Sequence, residues 1–128
     1  MENVTGIGGV FIKAKDPVAL AKWYKENLGI DFTKDNYTTF RWKNANPEVP
    51  GTTVFSFFKE DSDYFSPSES KCMINFRVKN LHRLLMKLKH SGVWVADKTE
   101  YYEYGSFGWI MDPEGNKIEL WEPKDEAL

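Results

Sequence analysis

Apolar and polar positions alternate along residues 5–14, with Val10, Ile12 and Ala14 on one side and Gly9, Phe11 and Lys13 on the other, which predicts a β-strand. The period then changes. Asp16-Pro17 supplies an N-cap and a first-turn proline, and Leu20, Ala21, Tyr24 and Leu28 fall at spacings of three and four. A helix is therefore predicted over residues 18–28, with Trp23 at the edge of its apolar face and Gly29 as its stop. Strand-like runs follow at 32–34, 38–43 and 52–58, separated by turn chemistry in Asp35-Asn36 and in Asn46-Pro47 through Pro50-Gly51. Residues 60–71 are rich in Ser, Asp, Glu and Pro and carry no period, so they read as a linker in which Tyr64 and Phe65 can dock onto another surface.

After the linker the order recurs. A strand is predicted over 72–78 and a helix over 81–90, with Leu81, Leu84, Leu85 and Leu88 inward and Gly92 closing it. Strands at 93–95, 98–102, 106–111 and 117–122 complete the second half, the last two joined by a hairpin turn in Asp112-Pro-Glu-Gly-Asn116. The recurrence predicts one α+β domain over residues 1–128, made of two similar modules at about 5–59 and 72–122 joined by the linker 60–71.

Strand parity sorts the side chains onto two faces. Cys72, Ile74, Phe76 and Val78 suit packing under the helices, while Met73, Asn75 and Arg77 face the other way. Ile118 and Leu120 oppose Lys117, Glu119 and Trp121, and in the first module Val54, Ser56 and Phe58 share the face of Phe11. That second face mixes large aromatics with a few polar groups, a composition suited to a ligand cavity or, equally, to a dimer contact.

Composition narrows the function classes. At 128 residues there is room for one domain, and 41% hydrophobic with 16% aromatic residues is ample for a core. A formal charge of -2, with no run of five Lys or Arg, disfavours nucleic acid. The opening twenty residues lack an apolar h-region and no stretch approaches the roughly 18 apolar residues of a membrane span, so secretion and membrane insertion are both disfavoured. Cys72 is the single cysteine, which excludes an intrachain disulfide and a thiolate metal site and fits a cytoplasmic location.

Phe11-Ile-Lys-Ala-Lys-Asp-Pro17, running into Trp23-Tyr-Lys-Glu-Asn-Leu-Gly-Ile30, together with Asp112-Pro-Glu-Gly-Asn-Lys-Ile-Glu-Leu120, resembles the vicinal oxygen chelate superfamily. Its members include glyoxalase I, extradiol dioxygenases, fosfomycin-resistance enzymes and bleomycin-resistance proteins. The resemblance covers nearly the whole chain, and its closing motif is the most specific part. It implies two βαβββ modules forming a curved mixed sheet around a cup, with the helices on the outer face, and a homodimer. It also implies a divalent metal held by a first-strand histidine or glutamine, a histidine on the second module's first strand and a last-strand glutamate. By motif spacing these positions fall at Gly9, Met73 and Glu119, with a further one near Ser56. Glycine donates nothing, a thioether is a poor ligand for hard cations, and one carboxylate does not close a coordination shell. A divalent metal held in this way is therefore disfavoured, and no cofactor is expected. His82 and His90 lie on the second helix, where solvent-facing positions are expected, and His90 suits the helix dipole.

Glu119 is the candidate catalytic residue: a carboxylate on an apolar face has a raised pKa and can move a proton, or else it forms an ion pair with Arg77 or Lys13. Ser56, Asn75 and Arg77 can hydrogen-bond or charge-pair with an anionic or carbonyl-bearing ligand. Residues 100–109 concentrate Tyr101, Tyr102, Tyr104, Phe107 and Trp109 around two glycines, suited to stacking on a flat ligand or to packing over the sheet edge. Tyr104 and Trp109 join Phe11, Trp42 and Trp121 as candidate ligand-binding residues, although Trp42 shares its parity with Phe40 and suits core packing as well. The expected function is metal-independent binding of a small planar or carbonyl-containing molecule, as in bleomycin-type sequestering proteins. The alternatives are an enzyme, either a lyase or dioxygenase with an unconventional metal site or one using Glu119 as acid and base, and a non-catalytic dimeric interaction protein.

Overall fold

The computed structural model describes residues 4–42 and 51–124. Strand β1 (Val4–Ala14) gives way to helix α1 (Pro17–Leu28) where Asp16 caps it, its carboxylate accepting the Ala19 N–H at 3.0 Å. Gly29 then turns left-handed at φ 69° and ends the helix, a conformation that costs glycine little. β2 (Tyr37–Arg41) and β3 (Thr52–Lys59) complete the first module. The second contains β4 (Cys72–Val78), α2 (Leu81–His90), β5 (Glu100–Tyr102), β6 (Gly105–Met111) and β7 (Lys117–Pro123). Asn80 makes no side-chain cap on α2; the Glu122 carboxylate accepts the Leu81 N–H at 2.9 Å instead and so ties the helix to β7.

Among the described residues seven strands form one sheet in the order β2-β3-β1-β4-β7-β6-β5, curled into a half-barrel. β1 runs parallel to β3 and β4 parallel to β7, while β1 and β4 meet antiparallel in the middle. The two modules thus pair within the chain, and the expected α+β architecture with helices on the outer face stands.

Two expected strands are absent. Residues 32–34 are irregular, and the Phe32 ring stacks on Phe57 with centroids 5.0 Å apart, so its apolar character serves the helix–sheet core. Among the described residues the first module contributes β1, α1, β2 and β3. Residues 93–95 contribute a single bridge, Val95 to Ile110, and the strand expected over 98–102 shortens to Glu100–Tyr102. Lys43 and the turn expected through Asn46-Pro47 lie outside the described residues.

Core side chains separate as strand parity predicts. Ala21 of α1 packs with Ala14 and Phe57, and Leu81 and Leu85 of α2 pack with Val78 and Leu120. Cys72, at the start of its strand, is exposed, as are His82 and His90. On the concave face Phe11, Phe65, Met73 and Trp109 make a third cluster, in which Phe65 is fully buried. The linker therefore folds back into the cup. Among the described residues no helix is long and apolar enough to cross a membrane.

Phe57 is 4% exposed and meets the rings of Tyr24, Phe32 and Phe55. Phe57→Ala should cost about 3–5 kcal/mol of stability, whereas Phe40→Ala, at a site 46% exposed, should change it by less than about 1 kcal/mol. Urea unfolding of both variants checks the contrast.

Candidate functional site

Residues paired across neighbouring strands project to the same face of a sheet. Glu119 on β7 pairs with Asn75 on β4 and with Trp109 on β6, so two hydrogen-bond donors flank its carboxylate on the concave side. Asn75 Nδ2 donates to Glu119 Oε1 at 2.6 Å, and Trp109 Nε1 donates to Oε2 at 2.9 Å. The Tyr64 hydroxyl, carried in by the linker, also donates to Oε2. Lys117, two positions before Glu119 on the same face, holds the linker by donating from Nζ to the Tyr64 carbonyl at 2.7 Å. Its ammonium also lies 5.5 Å from the Tyr64 and Trp109 ring centroids.

Burial dominates the electrostatics. Glu119 is 2% exposed, and loss of hydration raises its pKa, opposed by the three hydrogen bonds and by the charge of Lys117. Burial, with the carboxylate beside it, also pushes the Tyr64 phenol up, so Tyr64 keeps its proton and remains a donor. Burial lowers Lys117 and Arg77. The ion pair of Glu119 with Arg77 or Lys13, one of two readings from the sequence, is not formed. Lys13 lies over the Phe65 ring at 5.1 Å, and the Arg77 guanidinium sits between Trp42 and Trp121 at 5.3 and 5.2 Å.

Beside this carboxylate opens a cavity of about 850 Å³. Of the residues expected from the sequence, Phe11, Ser56, Asn75, Tyr104, Glu119 and Trp121 line it. Trp42, Arg77 and Trp109 are not among its lining residues. Trp42 donates its indole N–H to Thr53 Oγ1 at 2.8 Å and lies flat where a Cβ on Gly6 or Gly51 would be 2.2 or 1.9 Å from its ring. The structure adds Tyr37, Thr39 and Arg41, which alternate along β2 opposite Ser56, Val54 and Thr52 of β3. Their parity was readable once the face was known. Tyr64 had a fainter signal, an aromatic pair with Phe65 in an otherwise polar linker.

A divalent cation does not fit this donor set. A Cβ at Gly9 would already be 2.7 Å from the Phe11 ring, and Met73 is 1% exposed inside an aromatic cluster. Around Glu119 the groups present hydrogens toward the carboxylate, and an indole N–H has no lone pair to offer a metal. Among the described residues no three His, Cys, Asp or Glu side chains come together as ligands.

Residues 9–121 match the family model described as a glyoxalase-like domain. No curated protein matches the sequence. Among solved structures, a Streptomyces coelicolor methylmalonyl-CoA epimerase variant in complex with 2-nitronate-propionyl-CoA superposes with a TM-score of 0.70 at 16% identity, over 98% of this chain and 100% of that one. A Mycobacterium tuberculosis methylmalonyl-CoA epimerase gives 0.64 at 17% identity, over 97% and 91%. A glyoxalase/bleomycin resistance protein/dioxygenase superfamily member from Vibrio splendidus gives 0.61 at 9% identity, over 94% and 99%. At such identities the likeness is one of fold.

Because the folded state raises the Glu119 pKa above its ordinary 4.5, it binds that proton more tightly than the unfolded chain does. The associated stabilisation is complete below the ordinary glutamate value and is lost as pH rises through the raised one. Glu119→Gln removes this slope, while Asp112, held low by its bonds to Asn116, is common to both proteins and cancels. Wild-type stability relative to Glu119→Gln should therefore fall as pH rises from the ordinary glutamate range through the raised value. Thermal midpoints of the two proteins across that range check it, and a constant difference would contradict it.

Proposed function

The chain belongs to the glyoxalase-like domain family, and on that footing we propose that its cavity binds one small, flat organic molecule bearing a carbonyl or carboxylate, without a divalent metal. The observation that carries this reading is the cavity itself. Its volume of about 850 Å³ falls within the range of small-molecule sites, and its walls are aromatic with a few polar groups. Phe107 and Trp121 lie parallel with centroids 5.9 Å apart and an interplanar angle of 3°, while Tyr104 meets Phe107 edge-on at 73°. Such rings favour a planar partner through stacking.

Polar groups at the wall set the chemistry. Arg41 is the cation among the described lining residues, and Thr39, Thr52 and Ser56 bring hydroxyls to the same face. A guanidinium and hydroxyls match an oxygen-rich group on the ligand. Glu119 acts as a support: both of its oxygens are engaged by Tyr64, Asn75 and Trp109, which favours binding over proton transfer at this carboxylate.

The probe 2-naphthoate combines a flat ring system with a carboxylate. Titration calorimetry should show saturable binding in the absence of added metal. Trp121→Ala should weaken it about tenfold through loss of stacking, and Arg41→Gln should weaken it several-fold. Absence of saturable binding, or binding that appears only when a divalent metal is supplied, would refute the reading.

A further inference from the structure

Among the described residues, one buried side-chain polar atom has no hydrogen-bond partner: Asn75 Oδ1. Asn75 is 2% exposed, and native proteins rarely leave such an acceptor unmatched. The reason for its orientation lies on the other side of the amide. Trp109 Nε1–H can only donate, so Glu119 Oε2 must accept, and it accepts from Tyr64 as well. In the ionised carboxylate Oε1 is an acceptor too, which obliges Asn75 to turn Nδ2 toward it. The amide oxygen then points the opposite way, toward Gly8. A Cβ at Gly8 would stand 2.2 Å from Asn75 Oδ1 and 3.0 Å from the Trp121 ring. Gly8, Asn75 and Trp121 all line the cavity, so this buried acceptor lies at the wall beside a residue that puts no side chain between the two.

We propose that Asn75 Oδ1 is a ligand-recognition atom that selects molecules carrying an N–H or O–H donor, and that Glu119 is the positioning residue that fixes its polarity. The inference rests on the ligand-binding reading above and deepens it. The ligand class becomes a flat carbonyl or carboxylate compound with a phenolic hydroxyl or ring N–H on its face toward β4. A ligand with a bare acceptor at that position meets oxygen with oxygen and leaves Asn75 unmatched, the arrangement that discriminates most strongly between otherwise similar molecules.

Glu119→Gln gives this proposal a sharp test because the side chain keeps its shape. The glutamine oxygen must remain with Tyr64 and Trp109, which places its NH2 against Asn75. Asn75 then has to offer its carbonyl to that NH2, and its own Nδ2–H2 turns to the cavity. The wall changes from acceptor to donor.

The experiment is calorimetric titration with 2-naphthoate, 6-hydroxy-2-naphthoate and 6-methoxy-2-naphthoate, repeated at rising pH until the ratio of affinities is constant, so that Glu119 with its raised pKa is ionised. Wild-type protein should bind the hydroxy probe about tenfold more tightly than the methoxy probe. In Glu119→Gln the preference should reverse in favour of the methoxy probe. In Gly8→Ala, where the added methyl would overlap Oδ1 and displace the amide, it should disappear. Binding of 2-naphthoate reports that each variant retains the cavity; should a variant fail to fold, the wild-type ratio decides alone. If wild type binds all three probes equally, recognition by Asn75 is overturned while the ligand-binding reading stands. If it binds none, both fall. A hydroxy preference that persists unchanged in a folded Glu119→Gln overturns the orienting role of Glu119.

Discussion

Taking a carboxylate out of water costs several kcal/mol unless other donors replace its hydration, and Glu119, at 2% exposure, meets that demand with donors from three separate stretches of chain. Asn75 comes from the central strand, Trp109 from the other arm of the hairpin that carries Glu119, and Tyr64 from the linker. Each is thereby constrained by the others. Tyr64 draws the linker into the cup, Phe65 follows into full burial, and Lys117 secures the turn by binding the Tyr64 carbonyl. The linker fills the part of the concave face nearest Trp109 and Met73, and the open cavity extends toward β2 and β3. One buried charge thus organises both the closed and the open regions of the concavity.

The part of this legible in the sequence is the part with a local cause. A strand's side-chain period is fixed by its own backbone, so the shared face of Phe11 and Ser56, and that of Asn75, Glu119 and Trp121, could be read from spacing alone. The same holds for the capped helices and the hairpin at Asp112, whose carboxylate accepts from the backbone of Glu114 and Asn116 at 2.9 Å. Tyr64 was hidden because its partner is 55 residues away and the linker has no period to assign it a face. Phe32 was misplaced because a short apolar run is ambiguous between a strand and a core loop, and the ring partners that decide it, Tyr24 and Phe57, belong to other elements. Trp42, Arg77 and Trp109 were assigned to the ligand wall on parity or composition. Their actual contacts depend on packing between several elements, such as the guanidinium held between two indoles.

The donors around Glu119 also connect the site to its family. The resemblance to the vicinal oxygen chelate superfamily implies a cation held by the last-strand carboxylate. In this chain the electrostatic requirement of the carboxylate is met by N–H and O–H hydrogens from Asn75, Trp109 and Tyr64. Gly9 and Met73, where ligands would be expected, have been given over to packing against Phe11, Phe65 and Trp109. Family membership and a donor-satisfied carboxylate are compatible because the sheet that presents the site is independent of what fills it.

The central requirement of the site is that the buried Glu119 carboxylate is satisfied by the donors of Tyr64, Asn75 and Trp109. The most direct measurement is the indole resonance of Trp109 in a proton–nitrogen correlation spectrum, recorded with and without one equivalent of paramagnetic Mn²⁺ or Co²⁺. The account predicts a hydrogen-bonded signal that is unchanged by the metal. Its selective broadening at one equivalent would place a cation at the carboxylate and contradict the account.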